Sequence, residues 1–133
     1  MPVFRDSDHL YQVMKTLFGR IGAQGPEATR SLSKARLRLR FDIHAPEGEV
    51  TIDGRSNPVK ISYGPVAGRP DLDIQLDADS LHEILLGTLR LSKAMGGGRM
   101  KVRGPVLKSF VLEDVLHQAQ ALYPAVVSEF NLQ

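Results

Sequence analysis

The sequence predicts an α+β domain, with a five-stranded, mainly antiparallel sheet carrying helices on one face. Three observations predict it. Short runs that alternate apolar and polar residues cluster mid-chain, apolar residues at helical spacing occupy both ends, and the regular strand–helix alternation of a parallel sheet is missing.

Taken in order, Leu10, Val13, Met14, Leu17, Phe18 and Ile21 share one helical face, with Asp6, Ser7 and Asp8 ahead to cap the first turn. The helix is expected to stop between Gly19 and Gly25. GAQGPEATRSLS then reads as a loop or mobile lid of about a dozen residues, long for a compact domain. In KARLRLRFDIHA, Leu37, Leu39, Phe41 and Ile43 alternate with Arg36, Arg38, Arg40, Asp42 and His44, a strand buried on one face only. Shorter alternations at Val50 and Ile52, at Val59, Ile61 and Tyr63, at Leu72, Ile74 and Leu76, and at Met100 and Val102 complete five strands, separated by APEG, DGRSNP and GPVAGRP. Asp77 or Ser80 can cap a helix through Leu81, Ile84 and Leu85 that Gly87 ends. A last helix carries Val106, Leu107, Val111, Leu112, Val115, Leu116, Ala119 and Leu122, and is expected to stop at Pro124.

Composition narrows the function. A chain of 133 residues suits one domain, taken as residues 1–133. With no cysteine there is no disulfide framework, thiol nucleophile or cysteine-ligated zinc. MPVFRDSDHLYQ lacks a signal-peptide core and no apolar run approaches the ~18 residues of a membrane span, so a soluble cytoplasmic protein is expected, with at most transient contact with a membrane surface. A formal charge of +2 with both signs interspersed argues against a nucleic-acid partner.

The stretch SKAMGGGRMKVRG looks like a phosphate loop and is not one. The Gly-x-x-x-x-Gly-Lys-Ser/Thr order is absent, and the glycines precede a strand, Arg99 to Arg103, with no helix N-terminus to offer free amides. Gly96 to Gly98 are expected to reverse the chain, with positive φ at one or two of them. Other tempting residues read as structure. Arg36, Arg38 and Arg40 form a solvated face paired with acids such as Asp71 and Asp73. Asp71, Asp73, Asp77 and Asp79 lack the glycine and terminal glutamate of a calcium loop. His9, His44, His82 and His117 are expected to be isolated surface residues, and no metal, cofactor or catalytic group is expected.

The run from Asp71 to Gly104 resembles the sterol carrier protein 2 (SCP2) family: a strand, an acidic helix start, Gly87-x-Leu89, then Ala94-Met95, Gly98-Arg99-Met100, Val102 and Gly104. The resemblance extends through the last helix and backwards over the earlier strands. It implies an SCP2-like fold and a non-catalytic domain that binds a fatty acid, acyl-CoA, isoprenoid or sterol-like lipid in a tunnel between sheet and C-terminal helices. The residues it places there are Leu81, Leu85, Leu89, Met95, Met100, Val111, Leu112, Val115 and Leu116. Arg20 and Arg30, flanking the long loop, are the candidates to meet a carboxylate or phosphate head. The family also contains accessory proteins of ubiquinone synthesis, so a scaffold for a lipid or isoprenoid-quinone biosynthetic complex is the alternative, and a homodimer is compatible with either. The ending Asn131-Leu132-Gln133 is no peroxisomal address, and a peroxisomal carrier is not expected.

Overall fold

A computed structural model of the chain describes residues 2–105 and 108–132. Asp6 caps α1 (Ser7–Ala23), accepting a hydrogen bond from the His9 amide at 2.8 Å, and the expected face from Leu10 to Ile21 is buried. The stretch after it is not an open loop. Pro26–Thr29 makes a 3₁₀ turn and Arg30–Ala35 a short helix, α2. Ala28 and Leu32 anchor them in the core, and burying one leucine is worth about 2 kcal/mol, which outweighs weak local propensity over so short a segment. Arg36 ends α2 in the left-handed conformation, at φ 53°, so it is a helix cap and not part of the strand in which alternation placed it.

All five expected strands form. β1 (Arg38–His44), β2 (Gly48–Asp53), β3 (Lys60–Tyr63), β4 (Leu72–Asp77) and β5 (Met100–Arg103) lie in the order β3-β2-β1-β4-β5. Neighbours are antiparallel except β1 and β4, which run parallel with Leu39 opposite Leu72 and Phe41 opposite Ile74. The inner face carries Leu39, Phe41, Ile43, Val50, Ile52, Leu72, Ile74, Leu76 and Met100, all buried. The outer face is the expected polar one. Arg40 reaches Asp73 at 2.7 Å and Arg38 reaches Asp53 at 2.9 Å, each pair bridging two strands. Burial pushes the Asp53 carboxyl up, but hydrogen bonds from Arg38 and the Arg55 amide outweigh it and hold the group below its ordinary range.

Asp77, not Ser80, caps α3 (Ala78–Leu86): its carboxylate accepts from the Ser80 amide at 3.1 Å. Gly87 ends the helix at φ 81°, as its position predicts. The short helix α4 (Leu91–Gly96) leads through the glycine turn into β5. The last helix, α5 (Ser109–Phe130), buries Val111, Leu112, Val115, Leu116 and Ala119; its expected start at Val106 and Leu107 lies outside the described residues. It does not stop at Pro124. Proline removes one helical hydrogen bond, but burial of Tyr123 and Val126 on either side and a 2.5 Å bond from Arg20 to Glu129 hold the final turns in place.

Two of the four histidines are interior, against expectation. His9 accepts from the Arg5 amide at 3.1 Å, and His82 shares a 2.6 Å hydrogen bond with the Tyr123 hydroxyl. Phe4 stands edge-on to both imidazoles, so their rings complete an aromatic cluster that packs the N-terminal arm onto α3 and α5. Burial, then the charge of Arg5, lower the His9 pKa.

In the glycine turn only Gly98 takes positive φ, 78°; Gly96 is helical, with nothing within 4 Å of the place where a Cβ would stand. Gly98→Ala is therefore expected to lower stability by about 1 kcal/mol. Gly96→Ala should leave it unchanged or slightly raised, and urea unfolding of both variants checks the contrast.

Candidate ligand-binding site

Three segments meet at the β3 edge of the sheet. They are the C-terminal turn of α1, the 3₁₀ turn with α2, and the connection from β2 to β3. Gly54 fixes how closely they approach. A Cβ there would lie 2.4 Å from the Leu32 carbonyl oxygen, so only glycine lets the β2–β3 turn sit against α2, where its amide donates to the Leu37 carbonyl at 2.8 Å. Farther along, the contact opens. Gly22 and Gly25 carry no side chain to fill the gap, and the space beside them is a slot of about 290 Å³. Val59, Ile61 and Pro58 line one side, with Thr29 and Ser33 opposite. Ile61 pairs with Ile52 on the inner face, so the slot lies at the boundary between sheet and helices, beside an edge strand that no further strand covers among the described residues.

Ser33 and Asn57 belong at once to this slot and to two abutting hollows. One, of about 450 Å³, adds Arg30 and Lys34; the other, of about 360 Å³, adds Arg36, Gly54, Arg55 and Ser56. An apolar slot thus opens into a polar trough with four cations on its walls. That arrangement suits an amphiphile, with its tail inward and its head in water.

Of the residues named from the sequence, Arg30 alone lines the trough, and the rest lie elsewhere. Leu81, Leu85, Met100, Val111, Leu112, Val115 and Leu116 come together in the central core, each at most 5% exposed. Leu89 is half-buried at its margin, and Met95 is 43% exposed on α4. Arg20 is engaged with Glu129, whose carboxylate raises the Arg20 pKa chiefly through the hydrogen bond between them. Arg30 is paired with Glu27 and lines the trough. Arg30 apart, the slot and trough residues were missed, most of them because they come from segments read as a loop and a turn. A signal was present: RSLSKAR, residues 30–36, carries three cations and no acid.

A mixed sheet with helices on one face and an apolar slot at its edge defines an α+β binding domain. Residues 18–117 match the SCP-2 sterol transfer family, and the chain belongs to that family. The resemblance carried by Asp71 to Gly104 is thereby borne out. Over 105 residues the chain is 30% identical to the peroxisomal multifunctional enzyme type 2 of Mus musculus; the match covers 75% of this chain but 14% of that protein. Its fold is similar to that of sterol carrier protein 2 from Yarrowia lipolytica, with a TM-score of 0.65 at 21% identity, covering 90% of this chain and 95% of the other. It is also similar to the fold of UbiJ-SCP2, a ubiquinone synthesis protein, with a TM-score of 0.58 at 18% identity, covering 91% and 94%. At such identities the two structures show a common fold. Among the described residues no helix is long and apolar enough to cross a membrane.

Tyr123 and His82 lie buried in the core, joined by their hydrogen bond. Burial pushes the Tyr123 phenol far above its ordinary pKa. An unfolded tyrosine ionises near pH 10 while the buried one keeps its proton, so the folded state binds more protons and its stability is lost as the pH rises above about 10. Tyr123→Phe is expected to cost about 1–2 kcal/mol at neutral pH through the lost hydrogen bond. It should also flatten the alkaline fall in stability by up to about 1.4 kcal/mol per pH unit, read from urea unfolding on both sides of pH 10.

Proposed function

We propose that this protein is a non-catalytic binder and carrier of an apolar ligand, a fatty acid, acyl-CoA, isoprenoid or sterol-like lipid, acting in the cytoplasm as one unit over residues 1–133. Membership of the SCP-2 sterol transfer family supports the ligand class. The observation that carries the reading is the slot between Gly22, Gly25, Val59 and Ile61, which leads from solvent to the inner face of the sheet. A tail entering there parts helices from sheet and meets the side chains of the tunnel inferred from the family, with Leu112, Val115 and Leu116 of α5 on one wall and Met100 on the other. A chain that buries about 200 Å² of apolar surface gains roughly 5 kcal/mol, enough for reversible carriage. The adaptable Met100 side chain can repack around such a tail.

A second reading is favoured by a different feature. Phe110, in the first turn of α5, is 54% exposed, and Met95 and Leu86 also present apolar surface. With a fold like that of UbiJ-SCP2, such side chains support an accessory or scaffold role in a lipid or isoprenoid-quinone biosynthetic complex. Phe110→Ser would weaken a protein partner and leave ligand binding unchanged.

The slot can be filled without touching the core. Gly22 lies in α1 with nothing within 4 Å of an added Cβ, and the same holds for Gly19, which does not line the slot. Gly22→Trp should leave melting unchanged or slightly raised, since glycine is a poor helix former. It should also reduce the affinity for a fluorescent fatty acid at least tenfold, with Gly19→Trp as the matched control. Full affinity in Gly22→Trp would rule out entry at this edge.

A further inference from the structure

The ion pairs of the sheet and the trough differ in their arithmetic. On the outer face the two arginines of β1 each have one carboxylate, Arg38 with Asp53 and Arg40 with Asp73. The trough holds Arg30, Lys34, Arg36 and Arg55, and of these only Arg30 and Arg55 have acids, Glu27 and Asp71. Lys34 and Arg36 are exposed and are in no ion pair among the described residues. Four cations against two carboxylates leave two positive charges facing one concavity.

We propose that this trough is a head-group site for a phosphate or diphosphate ester of an apolar chain, with Lys34 and Arg36 as the principal cations. The proposal rests on the ligand-binding reading of the adjoining slot and narrows its ligand class. Continuity supplies the geometry: Ser33 and Asn57 line both the slot and the charged hollows, so a tail against Val59 and Ile61 leaves its head beside Lys34, Arg36 and Arg55. Stoichiometry of charge supplies the chemistry. Within this chain a single guanidinium meets a single carboxylate, as at Arg20 and Glu129. A fatty acid would therefore use one cation and leave the other uncompensated, whereas a phosphate monoester carries about −1.5 to −2 near neutral pH and matches both. Its oxygens also accept from neutral donors, and the Ser33 hydroxyl and the Asn57 amide stand where the slot becomes the trough. The left-handed cap at Arg36 ends α2 beside the β2–β3 turn and so brings this cation opposite Arg55, which the strand assignment of Arg36 would not have done.

Titration calorimetry with dodecyl phosphate and dodecanoate, both kept below their micelle concentrations, tests the assignment on the full chain. The wild type should bind the phosphate at least tenfold more tightly than the carboxylate, with an advantage that shrinks as salt is raised. The double variant Lys34→Gln, Arg36→Gln changes two exposed side chains, and a thermal melt verifies its fold. It should lose at least tenfold in affinity for dodecyl phosphate and less than threefold for dodecanoate. Equal affinity for the two heads, or an unchanged phosphate affinity in the double variant, overturns the head-group site. Gly22→Trp separates this from failure of the slot: if it weakens dodecanoate while the double variant leaves dodecyl phosphate untouched, the slot stands and the head-group site falls. If it weakens neither amphiphile, the slot reading fails first. Pyrophosphate alone binding as tightly as dodecyl phosphate would assign the trough to a free anion. Flotation with phosphatidic-acid vesicles that depends on Lys34 and Arg36, without saturable binding of the monomeric amphiphile, would assign it to a membrane surface. Either result overturns the proposal.

Discussion

The parallel pairing of β1 with β4 is the constraint on which the rest of this structure depends. Residues paired across the two strands are 33 apart in sequence, as with Leu39 opposite Leu72, and a parallel pair cannot be closed by a tight turn. The chain meets this by running β2 and β3 antiparallel on one side of β1 and returning through Gly64 to Asp71 to the other side. Arg38 helps to tie the return down. Its guanidinium bonds Asp53 of β2 and the Ala67 carbonyl of the returning segment, while its amide donates to the Asp71 carboxylate. With β1 paired on both edges, its inner residues Leu39, Phe41 and Ile43 become the centre of the core.

From that order follows where the molecule can open. β5 and β3 are the sheet's two edges, and β5 has α4 packed beside it. At β3 the neighbouring elements are the glycine-containing end of α1 and the short α2, which supply few side chains to the gap. The opposite end of the helical layer is closed more firmly. Phe4, His9, His82, Tyr123 and Phe130 interlock there, and a buried hydrogen bond spans 41 residues between His82 and Tyr123. A layer pinned at one end and open at the other is suited to admitting a chain without unfolding.

Charge is placed differently on the two sides of the fold. On the outer face of the sheet each arginine of the central strand has its own carboxylate across a strand boundary, an arrangement that fixes register and leaves little net field. Around α2 the four cations outnumber the two carboxylates paired with them. At this corner unmatched charge stands beside an apolar opening.

What the sequence determined by itself was the set of elements whose residues repeat with the period of their own backbone. Alternation in LRLRF and in LDIQL specified β1 and β4 and their buried faces, and the spacing from Leu10 to Ile21 specified α1, because side-chain direction in a strand or helix follows from local geometry alone. The motif from Asp71 to Gly104 likewise specified the family, its caps and glycines being read from neighbours within a few residues. Tertiary structure decided whatever depended on a partner distant in sequence. Ala28 and Leu32 make helical turns out of a glycine- and proline-containing stretch only because the core is there to receive them. α5 passes Pro124 because Tyr123 and Val126 are buried around it, and His82 is interior because Tyr123 meets it. The slot and trough belong to the same class: Gly22, Ser33, Asn57 and Ile61 have no common periodicity, and they become one surface only when β3 is set at the edge of the sheet beside α1 and α2.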